Sequence, residues 1–435
     1  MRIAVWHDLP SGGGKRALYD HVRGLLQRGH ELEAWCPPTA DREFLPLAEL
    51  VTEHVVALPE FEPSRFRRQL TELTQDRRLH IDAMTEHCRL VANELEARDF
   101  DVLLAGPCQF FRATAIGRVC SLPSVLYLQE PFRWLYEALP NLVWVADDRP
   151  TGWWHSPNAV RNALREAVRI RSLRVQAREE VRNARGFSEI LVNSFYSRES
   201  ILRAYGLDAT VCYLGVDTDL FRPTSDRREP FLITVGSGTP EKNVGFLVQA
   251  IALCKRKMPL VWVANVVDDG YASSVKRLAV ELDVELVIKQ RIPDAELVAL
   301  LNQATAMVYA PRLEPFGFAP LEAGACALPV VAVAEGGVRE TVIDGETGLI
   351  SHPKPDLFAE CIDAITGDIQ LATRLGENGR RHVQAFFSLS AGATRLEKRL
   401  VTQVASRESP TGGLQRRTNG SAPATTISLE HTDIA

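Results

Sequence analysis

The sequence predicts an α/β fold of two Rossmann-like domains that face one another across a cleft. Short apolar stretches of strand length alternate with helical stretches, which is typical of parallel sheets covered by helices. The alternation stops in a polar, charged stretch with prolines near its ends, at residues 221–230, and then begins again. Each half opens with a strand, a glycine-containing turn and a helix, so the ligand-binding edges of both sheets are expected at one cleft.

The domain boundaries follow from where the strand-like stretches lie. They are RIAVW, ELEAW, DVLLA, SVLYL, EILVN and TVCYL in the first half, and FLITVG, LVWVAN, VELVI, AMVYA and PVVAVA in the second. We therefore expect an N-terminal domain at 1–220 and a C-terminal domain at 231–388, with a helix at about 389–405 packing back on the first domain. Residues 406–435 are rich in Ser, Thr, Gly and Pro, so we expect a disordered tail.

The composition argues against several classes of protein. The chain has 435 residues and a formal net charge of -5, which argues against a general nucleic-acid binder. Its eight cysteines are scattered without a CxxC pair, so we expect reduced thiols in a cytoplasmic protein. We expect neither a signal peptide nor a transmembrane helix, because no apolar run has the required length.

The stretch WHDLPSGGGKRALYD carries three consecutive glycines, Gly12, Gly13 and Gly14, directly after the first strand. A P-loop requires a glycine five positions before the last of these and a Ser or Thr after the lysine. The chain has Leu9 and Arg16 at those positions, so it lacks both the first glycine and the hydroxyl that would bind magnesium. The P-loop interpretation therefore fails.

A dinucleotide-binding fingerprint fits the same glycines better. The pattern G-x-G-x-x-[GA] is matched by Gly12, Gly14 and Ala17. It also needs an acidic residue at the end of the second strand to bind the ribose, but that strand ends AWCPP and Glu33 lies inside it. The third interpretation is a looser glycine turn that lets a different phosphorylated ligand approach the backbone.

A second motif supports the third interpretation. The stretch MVYAPRLEPFGFAPLEAG predicts a strand, a loop with Glu314 and a helix opened by Pro320, with Glu322 in its first turn. The free amides and the dipole at such a helix start favour a phosphate. Two carboxylates beside these amides suit a ligand that has both hydroxyl groups and phosphates.

This motif resembles a known signature. Glu314 and Glu322 are eight positions apart, as in the E-x7-E signature of retaining nucleotide-sugar glycosyltransferases of the GT-B fold, specifically the GT4 family. The stretches ILVNSFYSRESILRAYGLDATVCYLGVDTDLFRP and EAGACALPVVAVAEGGVRETVIDGETGLI also resemble blocks of that family. The resemblance extends from Met1 to about Val404. It implies a GT-B fold with an N-terminal acceptor domain and a C-terminal donor domain.

The resemblance implies roles for the residues of the second motif. Glu322 would bind the ribose hydroxyls of the donor. The donor sugar and diphosphate would be held by Glu314 and by the backbone of Phe316, Gly317 and Phe318. For either glutamate alone, compensation of the helix dipole is the simpler explanation, but the paired spacing favours ligand binding.

The resemblance also implies a pair of cations for the diphosphate, an arginine and a lysine in the loop after the first strand of the second domain. That loop, VGSGTPEKN, has Lys242 at the lysine position and Ser237 where the arginine is expected. The family keeps a glycine-rich loop, here Gly12 to Gly14, close to the donor phosphates and the acceptor. The candidate replacements for the arginine are Lys15, Arg16, Arg312 and Arg339.

The stretch YLQEPFRWLYE resembles a family motif in which a histidine reaches the donor sugar. Gln129 stands at that position, followed by Glu130, Pro131 and Arg133. A glutamine can hydrogen-bond to a sugar hydroxyl but cannot act as a general acid or base. This fits a retaining transfer in which the departing phosphate takes the acceptor proton, and it fits a purely structural turn equally well.

Residues 160–185 contain eight arginines and three acidic residues, with apolar side chains at helical spacing. Such a helix suits contact with an anionic membrane, although a solvated basic face packed on the sheet is the simpler interpretation. Four tryptophans, Trp134, Trp144, Trp153 and Trp154, lie just before it. This segment is the candidate acceptor side.

The sequence therefore predicts a metal-independent, retaining glycosyltransferase with no cofactor. Its donor would be a nucleoside-diphosphate sugar, with GDP-mannose the first candidate, and its acceptor a hydroxyl of a glycan, a lipid-linked molecule or a small molecule. We expect it in the cytoplasm, at or near the inner membrane surface. The alternatives are a non-catalytic GT-B scaffold, favoured by Ser237 and Gln129, and an NAD-dependent oxidoreductase, which the missing ribose acid opposes.

Overall fold

The computed structural model describes residues 1–59, 78–138, 142, 144–145, 152–224 and 227–408. The predicted disordered tail lies outside this part of the chain from residue 409 onward, and residues 406–408 end the last helix. Two residues of the predicted linker, 225 and 226, also lie outside it. In the described part of the chain, no helix is both long enough and apolar enough to cross a membrane.

Seven parallel strands form the N-terminal sheet, in the order β3-β2-β1-β4-β5-β6-β7. They are β1 (Arg2–Asp8), β2 (Glu31–Cys36), β3 (Thr52–Val55), β4 (Val102–Cys108), β5 (Ser124–Tyr127), β6 (Glu189–Val192) and β7 (Thr210–Val211). All six strands predicted in the first half are present. The edge strand β3, with sequence TEHV, is an addition, because its alternating polar residues hide it from a search for apolar runs.

Six parallel strands form the C-terminal sheet, in the order β10-β9-β8-β11-β12-β13. They are β8 (Leu232–Val235), β9 (Leu260–Ala264), β10 (Leu286–Gln290), β11 (Ala306–Tyr309), β12 (Val330–Val333) and β13 (Leu349–Ser351). The five predicted strands are present, and the short edge strand β13 is an addition. The predicted α/β class with two Rossmann-like sheets is therefore confirmed.

Helices cover both sheets. Those in the described residues are α1 (Gly13–Gln27), α2 (Arg78–Glu96), α3 (Ile116–Val119), α4 (Arg133–Tyr136), α5 (Pro157–Ala184), α6 (Phe195–Tyr205), α7 (Val244–Leu253), α8 (Asp269–Glu281), α9 (Asp294–Gln303), α10 (Phe318–Ala325), α11 (Val338–Thr341), α12 (Pro355–Gly367), α13 (Ile369–Phe386) and α14 (Leu389–Glu408). Because helices cover both faces, central strands such as β4 are buried along their whole length.

The last helix, α14, belongs by its contacts to the first domain. It packs against α1, where a Cβ at Gly24 would lie 2.7 Å from the Cβ of Ala393, so the two helices meet at glycine distance. Glu397 then accepts hydrogen bonds from Arg28 at 2.7 Å, and its other oxygen lies 2.8 Å from His30 Nε2. The chain thus returns to the N-terminal domain after completing the C-terminal sheet.

The two domains also touch each other directly beside the cleft. The Glu340 carboxylate of the C-terminal domain accepts hydrogen bonds from the backbone amides of Phe195 and Tyr196, at 2.8 and 3.0 Å. It accepts a third from the Tyr213 hydroxyl at 2.9 Å. The Ser194 hydroxyl donates to the Pro315 carbonyl at 2.5 Å. These contacts hold α6 of the first domain against the loop that carries Glu314.

Candidate active site

A cleft of about 430 Å³ lies between the two domains. Its walls come mainly from the loops after β1 and β5 in the first domain and after β8 and β11 in the second. Ligands of open α/β sheets bind beyond the carboxyl ends of the strands, so both domains present their binding edges here. The predicted site residues that line it are Gly12, Gly13, Gly14, Arg16, Gln129, Lys242, Glu314, Phe316, Gly317, Phe318 and Glu322.

Helix α10 begins at this cleft, although not where the sequence predicts. The prediction that Pro320 opens the helix is wrong, because the helix starts at Phe318. Gly317 precedes it with a φ of 95°, a conformation that glycine adopts readily and that turns the chain into the helix two residues early. Glu322 therefore lies in the second turn, and the unpaired amides of the first turn lie at the cleft.

The loop with Glu314 is fixed by a close approach of two backbones. A Cβ at Gly336 would lie 2.2 Å from the Glu314 carbonyl oxygen, and one at Gly337 would lie 2.1 Å from that of Pro315. Gly337 N also donates a hydrogen bond of 2.7 Å to the Glu314 carbonyl. Only glycines permit this approach, so the AEGGV segment determines where the Glu314 side chain emerges.

Lys242 and Glu314 form an ion pair at the cleft. The distance from Lys242 Nζ to Glu314 Oε2 is 2.6 Å, and both side chains are largely buried. Lys242 ends a short 3-10 turn after β8, and its aliphatic chain lies over Gly236, where a Cβ would be 3.3 Å from Lys242 Cδ. The pair therefore presents a cation and a carboxylate beside the start of α10.

Glu322 is buried deeper in the same cleft, at 5% exposure. Burial raises the pKa of its carboxyl group, and the nearby Arg16 partly opposes that rise. Arg16 comes from the other domain, and its Nη2 lies 2.8 Å from Asp294 Oδ1. Burial disfavours the charge of Arg16, but the attraction of Glu322 and Asp294 outweighs burial. The pKa of Arg16 is therefore raised, and Arg16 remains a cation.

Lys15 lies elsewhere. It is wholly buried inside the first domain and does not line the cleft. Burial lowers the pKa of its amine, with Glu53 opposing the shift, and Nζ has no hydrogen-bond partner among the described residues. The geometry therefore gives no support to Lys15 as a phosphate ligand. Successive residues of a helix point in directions about 100° apart, so Lys15 points into the domain while Arg16 points to the cleft.

Gln129 lies at the cleft in an uncommon conformation. Its φ is 65°, in the left-handed region that non-glycine residues seldom occupy outside turns and functional sites. A Cβ at Gly14 would lie 3.3 Å from Gln129 Oε1, so the third glycine of the triple leaves room for this amide. Gly12, with a φ of 139°, precedes the first residue of α1. The glycine loop and the Gln129 turn thus fit together.

Three charged residues for which the sequence predicted no role also line the cleft: Asp294 and, beside Gln129, Glu130 and Arg133. Arg133 begins α4, and its Nε donates a 2.8 Å hydrogen bond to Glu137. Glu130 has a raised pKa because it is buried, an effect that Arg112 and Arg133 oppose. Both lie within a few residues of Gln129, so the YLQEPFR stretch was the available signal.

The remaining candidate replacements for the missing arginine do not face the cleft. Ser237 itself lines it, but Arg312 and Arg339 do not. Both of these arginines are exposed, and Arg339 Nε donates to the Gly336 carbonyl at 3.1 Å. Of the four predicted substitutes, only Arg16 reaches the cleft, where Asp294 already holds it.

The predicted basic segment is part of helix α5 and of the turn after it. All eight of its arginines are exposed, and Leu164 is 64% exposed. Trp154, just before the helix, is 59% exposed, whereas Trp144 Nε1 donates to the Leu135 carbonyl. The side chain of Trp153 lies outside the described residues.

One group of side chains in the described residues has the spacing of metal ligands. It consists of His7, Cys36 and Glu53, whose ligand atoms lie within 4.8 Å of one another. None of the three lines the cleft. That the reaction needs no metal stays a prediction.

Comparison with known proteins extends these observations. Residues 216–382 match the family model described as glycosyl transferases group 1. An alpha-1,3/1,6-mannosyltransferase ALG2 of Rhizomucor pusillus is 27% identical over 61% of this chain and 69% of its own length. A GDP-mannose-dependent alpha-(1-6)-phosphatidylinositol monomannoside mannosyltransferase of Mycolicibacterium smegmatis is 31% identical over 43% of this chain and 55% of its own length. The aligned region thus spans little more than half of that second relative.

Solved structures share the whole architecture. Sucrose-phosphate synthase from Thermosynechococcus elongatus superimposes with a TM-score of 0.66 at 20% identity, over 93% of this chain and 100% of that one. Anabaena Alr3699/HepE in complex with UDP and glucose gives a TM-score of 0.65 at 18% identity, over 92% and 100%. The chain therefore has the GT-B fold, and its residues 216–382 match the glycosyl transferases group 1 family.

Proposed function

We propose that this protein is a retaining glycosyltransferase that moves a sugar from a nucleoside-diphosphate donor to an acceptor hydroxyl. The observation that carries the proposal is the Lys242–Glu314 pair, at 2.6 Å, beside the start of α10 in a cleft shared by both domains. This arrangement offers a cation and free amides to a diphosphate, together with carboxylates for hydroxyl groups.

The chemistry follows from where charge develops. As the bond between the sugar and the diphosphate breaks, negative charge grows on the departing phosphate, so a fixed cation such as Lys242 lowers the barrier. The acceptor oxygen forms its new bond on the face that the phosphate leaves, and the phosphate oxygen takes the acceptor proton. The Gln129 amide cannot act as an acid or a base in this step, but it can orient a sugar hydroxyl by hydrogen bonding.

The nucleotide end of the donor is assigned to the C-terminal domain. Within this proposal, Glu322, which is buried in the second turn of α10 at the cleft, accepts hydrogen bonds from the ribose hydroxyls. GDP-mannose is the first donor to test, and the printed name of one relative, a GDP-mannose-dependent mannosyltransferase, favours it. Uridine donors are tested alongside it, because one structural neighbour was solved in complex with UDP.

The first test identifies the nucleotide. The thermal unfolding temperature is measured with UDP, GDP, ADP and dTDP, and the one that stabilises the protein names the base. The corresponding radiolabelled sugar nucleotide is then incubated with acceptor extracts, with and without EDTA, and the anomeric configuration of the product is determined by NMR. We expect transfer with retained configuration that EDTA does not abolish.

The same experiments separate the alternatives. Tight nucleotide binding, with neither transfer nor slow hydrolysis of the donor, would favour a non-catalytic GT-B scaffold. Binding of NAD at micromolar concentration without binding of any nucleoside diphosphate would favour the oxidoreductase. A product of inverted configuration would contradict the retaining mechanism.

We also propose that the acceptor side contacts an anionic membrane on the cytoplasmic side through residues 160–185, which suits a lipid-linked acceptor. Exposed arginines beside exposed Leu164 and Trp154 support this contact. Flotation with phosphatidylglycerol vesicles, compared with phosphatidylcholine vesicles, tests it. Replacing Arg161, Arg165 and Arg169 by glutamine is expected to abolish flotation.

The matched control for this test replaces three exposed arginines of the C-terminal domain. They are Arg256, Arg277 and Arg374. Both triple variants remove the same charge from the protein, so only a local surface effect distinguishes them. Equal loss of flotation in the two variants would show that net charge, not this helix, attracts the vesicles.

A further inference from the structure

Arg133 faces the cleft from the first domain and is held in place by acceptors on both sides. Its Nε donates to Glu137 Oε2 at 2.8 Å, within the same domain. Its Nη2 donates to the carbonyl of Arg312, in the other domain, at 3.0 Å. Among the described residues, Nη1 makes no hydrogen bond, so none of them competes with a ligand for it.

The charge of Arg133 is secured by the same surroundings. Burial disfavours the cation and lowers the pKa of Arg133. The carboxylates of Glu130, Glu137 and Glu314 outweigh burial, so the pKa of Arg133 is raised. The hydrogen bond to the Arg312 carbonyl, two residues before Glu314, brings the guanidinium to the loop that carries the Lys242–Glu314 pair. Two cations from different domains thus face the same part of the cleft.

A diphosphate bound in this cleft would need a second cation. The cationic side chains that line it are Arg16, Arg133 and Lys242, set against four carboxylates. Arg16 donates through both terminal nitrogens to Asp294, at 3.3 and 2.8 Å, so a carboxylate already balances its charge. Lys242, already paired with a carboxylate, is a weak counterion by itself for a diphosphate with at least two negative charges.

We propose that Arg133 is the second cation of the diphosphate site, reaching from the N-terminal domain to the position opposite Lys242. The inference rests on the proposed nucleoside-diphosphate donor. Its consequence is that the two cations come together only when the domains are arranged as they are here. Binding of the diphosphate is then coupled to closure of the cleft.

The test compares nucleoside diphosphate with nucleoside monophosphate by isothermal titration calorimetry. The probes are GDP and GMP, or UDP and UMP, according to which base stabilises the wild type. Arg133→Gln is expected to weaken diphosphate binding about 10- to 100-fold while monophosphate affinity changes less than about threefold. Arg133→Lys, which keeps the charge, is expected to lose less than Arg133→Gln.

Arg112→Gln is the matched control. Arg112 is the other guanidinium beside Glu130, with Nη2 3.3 Å from Glu130 Oε1, but it does not line the cleft. Its loss therefore disturbs the same carboxylate without removing a phosphate ligand, and the preference for diphosphate over monophosphate is expected to persist.

Two results would overturn the assignment. One is an Arg133→Gln variant that binds the diphosphate with wild-type affinity. The other is an equal loss of diphosphate and monophosphate affinity, which indicates a structural role. Failure of the wild type to bind any nucleoside diphosphate would instead overturn the proposed donor, and this assignment with it.

Discussion

Lys242 Nζ lies 2.6 Å from Glu314 Oε2, and the two residues come from loops that follow neighbouring strands. Strands β8 and β11 pair in parallel, so their carboxyl ends, and the loops that leave them, lie side by side. The carboxylate restricts a flexible lysine to one position over Gly236. A cation that is already oriented stabilises developing charge without reorganisation during the reaction.

Lys242→Gln is therefore expected to lower kcat by about 100-fold and to change KM for the donor far less. The lysine stabilises negative charge that grows on the departing phosphate towards the transition state. Loss of the lysine therefore lowers mainly kcat. Steady-state kinetics of donor hydrolysis or transfer measures this split. Lys257→Gln, at a partly exposed lysine beside Asp283, is the control and is expected to leave both constants unchanged. A wild-type kcat in Lys242→Gln would remove Lys242 from the mechanism.

Glu322→Gln is expected to weaken binding of the stabilising nucleotide by about 10-fold, because a carboxylate accepts charge-assisted hydrogen bonds from ribose that an amide makes less well. Titration with ribonucleoside and deoxyribonucleoside diphosphates distinguishes a ribose contact from general damage. The wild type should discriminate against the deoxy ligand more strongly than the variant does. Equal discrimination by both proteins would assign Glu322 another role.

Asp20 on α1 gives a prediction about stability and pH. Burial raises the pKa of its carboxyl group to about 7 from an unperturbed 3.8, although Arg16 and Arg23 oppose the rise. Between these values the folded protein holds a proton that the unfolded chain has lost. This contribution to stability is complete below about pH 4 and is lost as the pH rises to about 7.

Asp20→Asn removes this titration, so the variant is expected to be more stable than the wild type at pH 8, by at most about 4 kcal/mol. At pH 4 the difference should shrink towards zero. Urea unfolding at several pH values measures it, and Asp219→Asn, at an exposed aspartate, is the control. A variant less stable than the wild type at pH 8 would show that the ionised Asp20 is stabilised by its arginines.

Sequence could place the strands of both sheets and the loops after β8 and β11, because buried parallel strands form apolar runs and their loops share one edge. It could not say which of the neighbours Lys15 and Arg16 faces the cleft. They differ by one helical position, and α1 begins at Gly13, so its phase sends Lys15 into the domain and Arg16 to Asp294. Contacts between domains, such as Arg133 to the Arg312 carbonyl, leave no local pattern in the sequence.

The contact between Glu340 and helix α6 is another such relationship, and it predicts how firmly the cleft is held closed. One carboxylate of the C-terminal domain accepts hydrogen bonds from the first two amides of α6 and from the Tyr213 hydroxyl. Those amides have no partner within their own helix, so Glu340 supplies what the first domain lacks.

Glu340→Gln leaves a single acceptor oxygen for three donors, which is expected to remove about 2 kcal/mol from this contact. That loss shifts the balance towards separated domains about 30-fold. Small-angle scattering of the protein without ligand should then show a larger radius of gyration, and donor KM should rise because ligand binding must close the cleft again. Glu360→Gln, on the exposed face of α12, is the control. An unchanged radius of gyration together with an unchanged KM would show that other contacts, such as Arg16 with Asp294, suffice to hold the domains together.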